Sequence, residues 1–442
     1  GAAALPWLAS CGPAARSSDV LKFWTIDLGQ RFRGYIESCL RAFEAAHPGV
    51  RVDWVDVPFK AMERKLIASA AAGRAPDVVN MSDINFTRFV GLGAFAEITP
   101  HVPGGPEGVS REYLPGALDL CRVPDRSGAR RLMGLPWYLT PQVALMNREA
   151  LAAGGMSVAD VTPTWSALAA RAAEFRARSN GTFLFSQDLG EESQIPIMLL
   201  GEGLAPFKGD NTLEPDLRRP EVIAYIRAWV ELYRSGAIPR EAGTTGHAHL
   251  VENFQRGQTA LINIGPSFIA RVKSDAPGVY KALEVGPGIT ATPGSTHIPV
   301  MVLTVGSQSK RPDLAAALAA HMTSAANQLE FCRQVPILPS TRASLADPLF
   351  ARTGGAPGED PKLTLGRAIA AECLPEAVAF TPALEPWPDM RRAFEERFKR
   401  VLLDGLELDA QLALVEEDWA RLLQASGGAS PAVVPRPYTA TL

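Results

Sequence analysis

The chain has 442 residues, of which 47% are hydrophobic and 21% charged, and its formal net charge is -3. This length exceeds one ordinary domain and predicts two or three, each able to bury an apolar core. A near-neutral charge with scattered arginines lacks the basic face that a nucleic-acid partner requires, so we expect no such partner. The composition is that of a folded globular protein.

The first residues carry the pattern of an export signal. Residues 1–10 are mostly apolar but too few to span a bilayer, which takes about 20 apolar residues. They run into Leu-Ala-Ser-Cys at positions 8–11, which matches the bacterial lipobox, and small polar residues follow like a tether. We expect residues 1–19 to be a signal remnant, lipobox and tether, with a lipid on Cys11.

Strand and helix patterns alternate through the first quarter of the chain. Residues 20–25, 50–57 and 76–81 have strand patterns, and residues 31–46, 59–72 and 84–92 have helical spacing of their apolar residues. This alternation predicts a parallel sheet with helices on both faces.

The alternation restarts near residue 141. Strand patterns occupy 144–147, 181–186, 259–264 and 300–305, and helical patterns occupy 164–178, 221–235 and 312–323. A long amphipathic helical stretch covers 390–423, and the tail beyond it is expected to be loose. The pattern predicts a second α/β unit, with a return to the first unit at the Ala-rich helix 312–323.

The five cysteines do not form a metal-binding motif. They lie far apart, with no CxxC spacing, and we expect no metal and no cofactor. Up to two disulfides are possible among the last four, and the sequence does not assign them. The five are Cys11, Cys39, Cys121, Cys332 and Cys373.

Five segments together resemble the family 1 extracellular solute-binding proteins, the group of the maltose-binding protein. Each looks like a family element in the family's order, and the resemblance covers nearly the whole chain after Cys11. The segments are FEAAHPGVRVDWVDV at 43–57, AAAGRAPDVVNM at 70–81, GLPWYLTPQVALMNREALAAGG at 134–155, NFQRGQTALINIGPSF at 253–268 and VPILPSTRAS at 335–344.

The resemblance implies an α/β, two-lobed periplasmic-binding-protein fold of type II, with a hinge and a ligand cleft between the lobes. The N-terminal lobe would comprise 20–138 plus 292–334, and the C-terminal lobe 139–291 plus 335–425, followed by a loose tail at 426–442. Closure of the lobes around a ligand would be a hinge motion.

A sugar has hydroxyl groups around its edge and apolar C–H faces, so its site needs aromatic platforms and planar polar groups. Such residues are expected in loops after strands and at the crossings between lobes. The candidates are Trp24, Asp83, Asn85, Trp137, Tyr138, Gln187, Asp188, Ser267, Phe268, Thr296, His297, Arg342 and Trp387.

Several candidates have structural alternatives. Trp24 and Trp137 could be core residues, since large aromatic side chains are often mostly buried. Asp83 could cap the next helix. Phe268 stands where many relatives have Trp or Tyr, which weakens its assignment to ligand stacking.

The resemblance implies a monomeric, non-enzymatic lipoprotein outside the cytoplasmic membrane. It would capture an oligosaccharide, disaccharide or glycoside and deliver it to ABC permease subunits with a cytoplasmic ATPase. A binding protein for glycerol 3-phosphate or a related phosphorylated polyol is the alternative, for which Arg342 is the one cationic candidate. A glycan-acting enzyme and a structural lipoprotein are the other classes, but no nucleophile or P-loop motif is present. His247 and His249 form an HxH pair without an evident third ligand.

Overall fold

The computed structural model describes residues 19–124, 129–208, 213–291, 296–374, 377–379, 382, 384–426 and 436–437. The first part of the chain alternates strands and helices as the sequence predicts. Its elements are β1 (Asp19–Ile26), α1 (Arg33–Ala46), β2 (Val50–Val57), α2 (Phe59–Ala71), β3 (Val78–Ser82), α3 (Asp83–Gly91), α4 (Gly105–Glu112), α5 (Pro115–Leu120), β4 (Arg122–Pro124), β5 (Arg130–Leu132) and β6 (Leu135–Leu139).

The middle of the chain is mainly helical around a small sheet. Its elements are β7 (Val143–Asn147), α6 (Arg148–Ala153), α7 (Trp165–Arg178), α8 (Ile195–Gly201), α9 (Pro220–Arg234), α10 (His247–Gln255), β8 (Leu261–Ile264), α11 (Phe268–Asp275), α12 (Pro277–Lys281) and β9 (Leu283–Pro287), with 3-10 turns at Val158–Asp160 and Arg240–Gly243.

The last part returns to the first sheet and ends in two long helices. Its elements are β10 (Thr296–His297), β11 (Val300–Val305), α13 (Pro312–Met322), α14 (Ala325–Gln334), β12 (Leu338–Pro339), α15 (Arg342–Leu345), a 3-10 turn at Pro348–Phe350, α16 (Pro361–Glu372), β13 (Ala377–Ala379), α17 (Trp387–Leu403), α18 (Leu408–Ala425) and β14 (Arg436–Pro437). No helix among the described residues is long and apolar enough to cross a membrane.

Two separate sheets define two lobes. The first lobe has six strands in the order β12-β6-β11-β3-β1-β2, and the second has β8-β7-β9. β1 is parallel to β2 and β3, whereas β11 and β6 alternate in direction, so β1, β2, β3 and β6 all end at one edge. The chain leaves this edge after β6, enters the second sheet at β7, and returns between β9 and β11. The predicted two-lobed α/β architecture is therefore confirmed.

The structure differs from the predicted division of the chain at two places. β12 pairs with β6 in the first sheet, although residues from 335 onward were assigned to the second lobe. The reason is that β6 still has an open side after β11 has paired with it, and β12 fills that side. Residues 436–437 of the tail pair with β13, which pairs with β10, so this part of the tail is not loose. The remaining boundaries stay a prediction.

Helix α16 joins the two lobes. It contacts β12 of the first sheet and β7 and β9 of the second. One continuous apolar core runs from the first sheet to the face of the second sheet that carries Val143 and Leu145. The opposite face, with Ala144 and Met146, belongs to a separate core with α7, α9, α17 and α18.

A buried charged pair lies at α16, in the apolar core that the two lobes share. Arg367 is 1% exposed and donates two hydrogen bonds to Glu359, at 2.8 and 2.5 Å. Thr364 donates to the same carboxylate at 2.9 Å. Burial alone would raise the pKa of Glu359, but the hydrogen bonds and charge of Arg367 hold that pKa below its ordinary value. The guanidinium therefore depends on Glu359 for its charge compensation.

We expect Glu359→Ala to lower the free energy of unfolding by about 3–5 kcal/mol, because it leaves the Arg367 charge buried without a partner. Chemical denaturation measures the loss. The control is Glu372→Ala, which breaks the half-exposed Arg352–Glu372 pair and should cost at most about 1 kcal/mol. Equal losses in the two variants would contradict the role assigned to the buried pair.

Candidate functional site

A pocket in the second lobe lies where both crossings enter it. Gln142 precedes β7 on the outgoing crossing, and residues 288–291 follow β9 on the returning one. Loop 187–194 and the first turn of α10 close the other sides. The lining residues are Gln142, Trp165, Gln187, Asp188, Gln194, Ile197, Met198, Gly201, His247, Leu250, Asn263, Gly288, Ile289, Thr290 and Ala291.

Amide side chains form one wall of this pocket. Asn263, on β8, donates to Gln142 Oε1 at 2.7 Å and to the Ile289 carbonyl at 3.0 Å. Its Oδ1 accepts from the Ile289 amide at 2.8 Å. Asn263 therefore fixes both crossings at the mouth of the pocket, because strand, outgoing crossing and returning crossing all bond to one side chain.

The opposite wall is the loop that carries Gln187 and Asp188. It lies beside β8 through backbone bonds from Ala260 to Phe183 and from Leu261 to Leu184. Only Phe183 forms a β-bridge, so the strand expected at 181–186 is wrong as a regular element. The loop packs closely on the Arg240–Gly243 turn: a Cβ on Gly190 would come 1.9 Å from the Gly243 carbonyl oxygen. Glycine is therefore required at this position.

Asp188 is a buried acid that faces the pocket. Its side chain is 4% exposed, and its nearest ion-pair contact is His247 Nδ1 at 3.9 Å, which is too long for a hydrogen bond. Burial, reinforced by the charge of Glu192 and opposed by Arg391, raises the pKa of Asp188 to about 8. Burial also lowers the pKa of His247, against the effect of Glu192. The pocket therefore holds a polar carboxyl group that burial has stripped of most water.

Glu192 and Arg391 hold the Asp188 loop in place. Glu192 has a positive φ of 58°, an unusual conformation for a non-glycine residue, and its Oε2 accepts from the His247 amide at 3.2 Å. Arg391 of α17 donates to the Ser193 carbonyl at 3.2 Å. Such strain persists only where the surroundings fix the backbone, and here the loop is fixed on two sides.

The facing edge of the first lobe is also polar. Asp56 accepts from Thr25 Oγ1 at 2.7 Å and from the amides of Leu28 and Gly29 at 3.0 and 2.8 Å, which fixes the loop after β1. Burial and the charges of Asp56 and Asp27 raise the pKa of the Tyr138 hydroxyl.

Two polar side chains on β3 lie close to this edge. The amide of Asn80 and the hydroxyl of Ser82 are buried without a hydrogen-bond partner in the described structure.

The structure places the three predicted tryptophans in the two cores. Trp24 is nearly buried under α2, with Lys65 Nζ 4.5 Å from its ring centre. Trp137 is fully buried against Phe23 and other rings, and Trp387 lies in the first turn of α17 against Trp419. Burial therefore favours the core alternative for these three rings over contact with a ligand.

Arg342 is also misplaced by the sequence prediction. It follows β12, which runs antiparallel to β6, so the end of β12 points away from the edge where β1, β3 and β6 end. Strand direction cannot be read from the sequence pattern, and the prediction for Arg342 rests on the expectation that residues after strands face the cleft.

The other predicted residues lie in several places. Gln187 and Asp188 line the pocket, and Ser267 and Phe268 follow β8, with the Phe268 ring centre 6.0 Å from that of His247. Asp83 and Asn85 begin α3 at the first-lobe edge, and Tyr138 lies on β6. The structure describes only the backbone of Thr296 and His297, in β10. Cys11 lies outside the described residues.

Sequence reasoning missed most of the pocket lining, including Trp165 and the polar residues Gln142, Gln194, Asn263 and Thr290. Asn263 is the one detectable case, because it is a polar residue inside the apolar run TALINI. His247 was considered only as half of an HxH pair. Within the described ranges, no group of three His, Cys, Asp or Glu side chains is placed to hold a metal. Cys39, Cys121 and Cys332 are buried free thiols, so these three form no disulfide.

Residues 39–358 match the family model described as bacterial extracellular solute-binding protein. The chain belongs to this family. The expected family and the class of binding protein rather than enzyme are thus confirmed.

Solved structures of similar proteins cover nearly the same length as this solute-binding protein. A putative oligosaccharide periplasmic-binding protein from Synechococcus sp. MITs9220 is 26% identical, with a TM-score of 0.82 over 92% of this chain and 99% of that chain. The maltose-bound MalE3 of T. maritima is 18% identical, with a TM-score of 0.70 over 91% and 100%. At that identity the second likeness shows the fold alone.

A related sequence is an uncharacterised lipoprotein from the oleD 5′ region of Streptomyces antibioticus. It is 21% identical over 392 residues, which cover 86% of this chain and 83% of that protein.

We expect Asp188→Asn to stabilise the solute-binding protein at alkaline pH. The folded pKa of about 8 lies above the unfolded value of 3.8, so the folded state binds the extra proton between these values. Stability from this group is therefore full below pH 4 and is lost as pH rises to 8. At pH 8.5 the variant should gain on the order of 1–3 kcal/mol over the wild type, and much less at pH 5.

Thermal unfolding at the two pH values measures this gain. Asp404→Asn is the control, because Asp404 is 61% exposed at the end of α17 and should show no such pH-dependent difference. A gain of the same size at pH 5 and pH 8.5 would show that titration of Asp188 is not its cause.

Proposed function

We propose that this protein captures a carbohydrate in the cleft between its lobes and delivers it to the permease of an ABC importer. The main observation behind this proposal is the second-lobe pocket. Planar polar groups surround its space, and Trp165 also lines it; these groups belong to Gln142, Gln187, Asp188 and Asn263. Paired donors and acceptors of this kind suit adjacent sugar hydroxyls.

The relatives support a carbohydrate ligand. The Synechococcus protein is named for an oligosaccharide, and the GacH receptor of Streptomyces glaucescens was solved with acarbose. The lining supports the same ligand class, because no lysine or arginine occurs among the described lining residues to compensate the charge of a phosphate. Nothing therefore favours glycerol 3-phosphate, and Arg342 lies away from the cleft.

The proposal includes a location and a mode of closure. A lipid on Cys11 would hold a monomer at the outer face of the cytoplasmic membrane, in line with the extracellular family and the lipoprotein relative. Closure would bring the Tyr138 edge of the first lobe onto ligand held by the second. A ligand shifts this equilibrium only through contacts that the closed form adds.

We expect a neutral sugar to raise the melting temperature and to give a calorimetric binding signal. A ligand at 100 times its Kd stabilises the folded state by about 2.7 kcal/mol. The panel contains maltooligosaccharides, disaccharides, monosaccharides and glycerol 3-phosphate. A response to glycerol 3-phosphate alone would overturn the carbohydrate assignment, and no response to any sugar would argue against it.

The bound sugar also tests the pocket. Asp188→Ala and Asn263→Ala should each weaken binding at least tenfold. The first removes a hydrogen bond to the ligand worth about 1.5 kcal/mol or more in a buried site, and the second releases the two crossings that Asn263 fixes at the mouth of the pocket. Asp404→Asn is the matched control and should leave the affinity unchanged. Unchanged affinity in both pocket variants would place the site elsewhere.

A further inference from the structure

The end of the first lobe opposite the cleft carries an apolar groove. It lies between the last turns of α2 and α3 and the end of β11, where β1, β2 and β3 begin. We call this end the amino pole. The groove residues are Leu66, Ile67, Ala70, Ala75, Pro76, Val79, Phe89, Leu92, Gly93, Ala94, Phe95, Gly306, Ser307 and Gln308.

Exposed apolar side chains collect at the amino pole. Ile67 and Leu92, on the rim of the groove, are 46% and 54% exposed, and Val20 at the start of β1 is 53% exposed. Of the large hydrophobic residues that stand exposed in the described chain, the other two are Phe59 and Leu403. Clusters of exposed apolar residues mark interaction sites, whereas single ones need no explanation.

Basic residues surround the same groove. Arg74 follows α2, and Lys310 and Arg311 follow β11; all three are exposed. Arg311 pairs with Asp19, and the nearby acid Asp77 points inward, where it accepts from the Lys22 amide and from Ser309. The amino pole therefore combines an aliphatic rim with exposed basic side chains, beside the exposed acid Asp313, which pairs with His101.

The amino pole is also where the tether enters. Cys11 and Asp19 are eight residues apart, and at about 3.5 Å per residue a fully extended tether spans at most about 28 Å. If Cys11 is acylated, the start of β1 cannot leave the membrane by more than this distance. The tether thus keeps the pole at high effective concentration next to the bilayer, which favours even weak contact.

We propose that the amino pole docks on the phospholipid bilayer that holds the anchor. Val20, Ile67 and Leu92 enter the headgroup region, while Arg74, Lys310 and Arg311 contact lipid phosphates. This inference rests on the acylated Cys11 of the proposed function. Because the cleft edge and the amino pole are opposite ends of the same strands, the docked protein holds its cleft away from the membrane, open to solute.

Hydrogen exchange on vesicles tests the docking. The acylated full chain is placed on vesicles of phosphatidylcholine and phosphatidylglycerol at 7:3, and compared with the same protein released by proteolysis in the tether. We expect amides at 67–74 and 91–96 to exchange at least fivefold more slowly on the vesicles, and amides at 403–407 to be unchanged. Equal rates at the pole in both samples would overturn the proposal.

Variants assign the protection to the pole. Ile67→Glu/Leu92→Glu should abolish it, and Leu403→Glu, which places the same charge on an equally exposed leucine of α17, should retain it. Arg74→Glu/Lys310→Glu should reduce it on the anionic vesicles. Protection that depends on protein concentration rather than on lipid would instead indicate a second copy on the groove and would overturn the proposal.

Acylation of Cys11 is tested in a separate experiment. Mass spectrometry of the amino terminus shows whether Cys11 carries diacylglycerol, and its absence removes the basis of the docking. Sugar binding, measured by calorimetry on the released protein, should be the same for wild type and Ile67→Glu/Leu92→Glu. A loss of sugar binding in that variant would show that the substitutions damage the fold. Its loss of protection on vesicles could then not be assigned to lost membrane contact.

Discussion

The apolar core that the two lobes share around α16 is the constraint on which their arrangement depends. One apolar core extends from the first sheet across this helix to one face of the second sheet. A core packed to native density cannot be sheared freely, so movement between the lobes must occur around α16 and the two crossings rather than through them. The Arg367–Glu359 pair is tolerated in this shared core because the opposite charges meet in a bidentate contact, although Arg367 Nε has no hydrogen-bond partner in the described structure.

That constraint explains why the binding groups lie on the edges of the sheets. Helices cover the faces of the central strands, so side chains such as those of β3 and β6 are buried, and solvent meets mainly the strand ends, the crossings and the edge strand β2. Asn263 is an exception among the strand residues. It lies on β8, but it contacts both crossings because its strand ends beside them. Asp188 reaches the same pocket from a loop held by Glu192 and Arg391, and its raised pKa is the electrostatic cost of that burial.

Much of the fold could be predicted from the sequence because apolar periodicity records burial, and burial fixes helices and parallel strands. The site could be predicted only in part. Gln187 and Asp188 were found because they follow an apolar run, but Trp24, Trp137 and Trp387 were chosen for their chemistry, and their large rings serve the cores instead. Arg342 failed because sequence pattern does not give strand direction, which here depends on how β12 pairs with β6. Gln142 gave no signal, since a polar residue between two elements is typical of any loop.

The two ends of the first sheet differ in a way that no pattern within single elements shows. At the carboxyl ends of β1 and β2 the side chains are polar, as at Thr25 and Asp56, which suits a solute site. At the amino ends they are aliphatic and basic, as a lipid surface requires. Because the tether leaves from the amino ends, the same strands that orient the cleft would orient the whole protein on its membrane. Delivery to a permease would then require the amino pole to detach, so weak docking suits capture followed by release, whereas strong docking would oppose transfer.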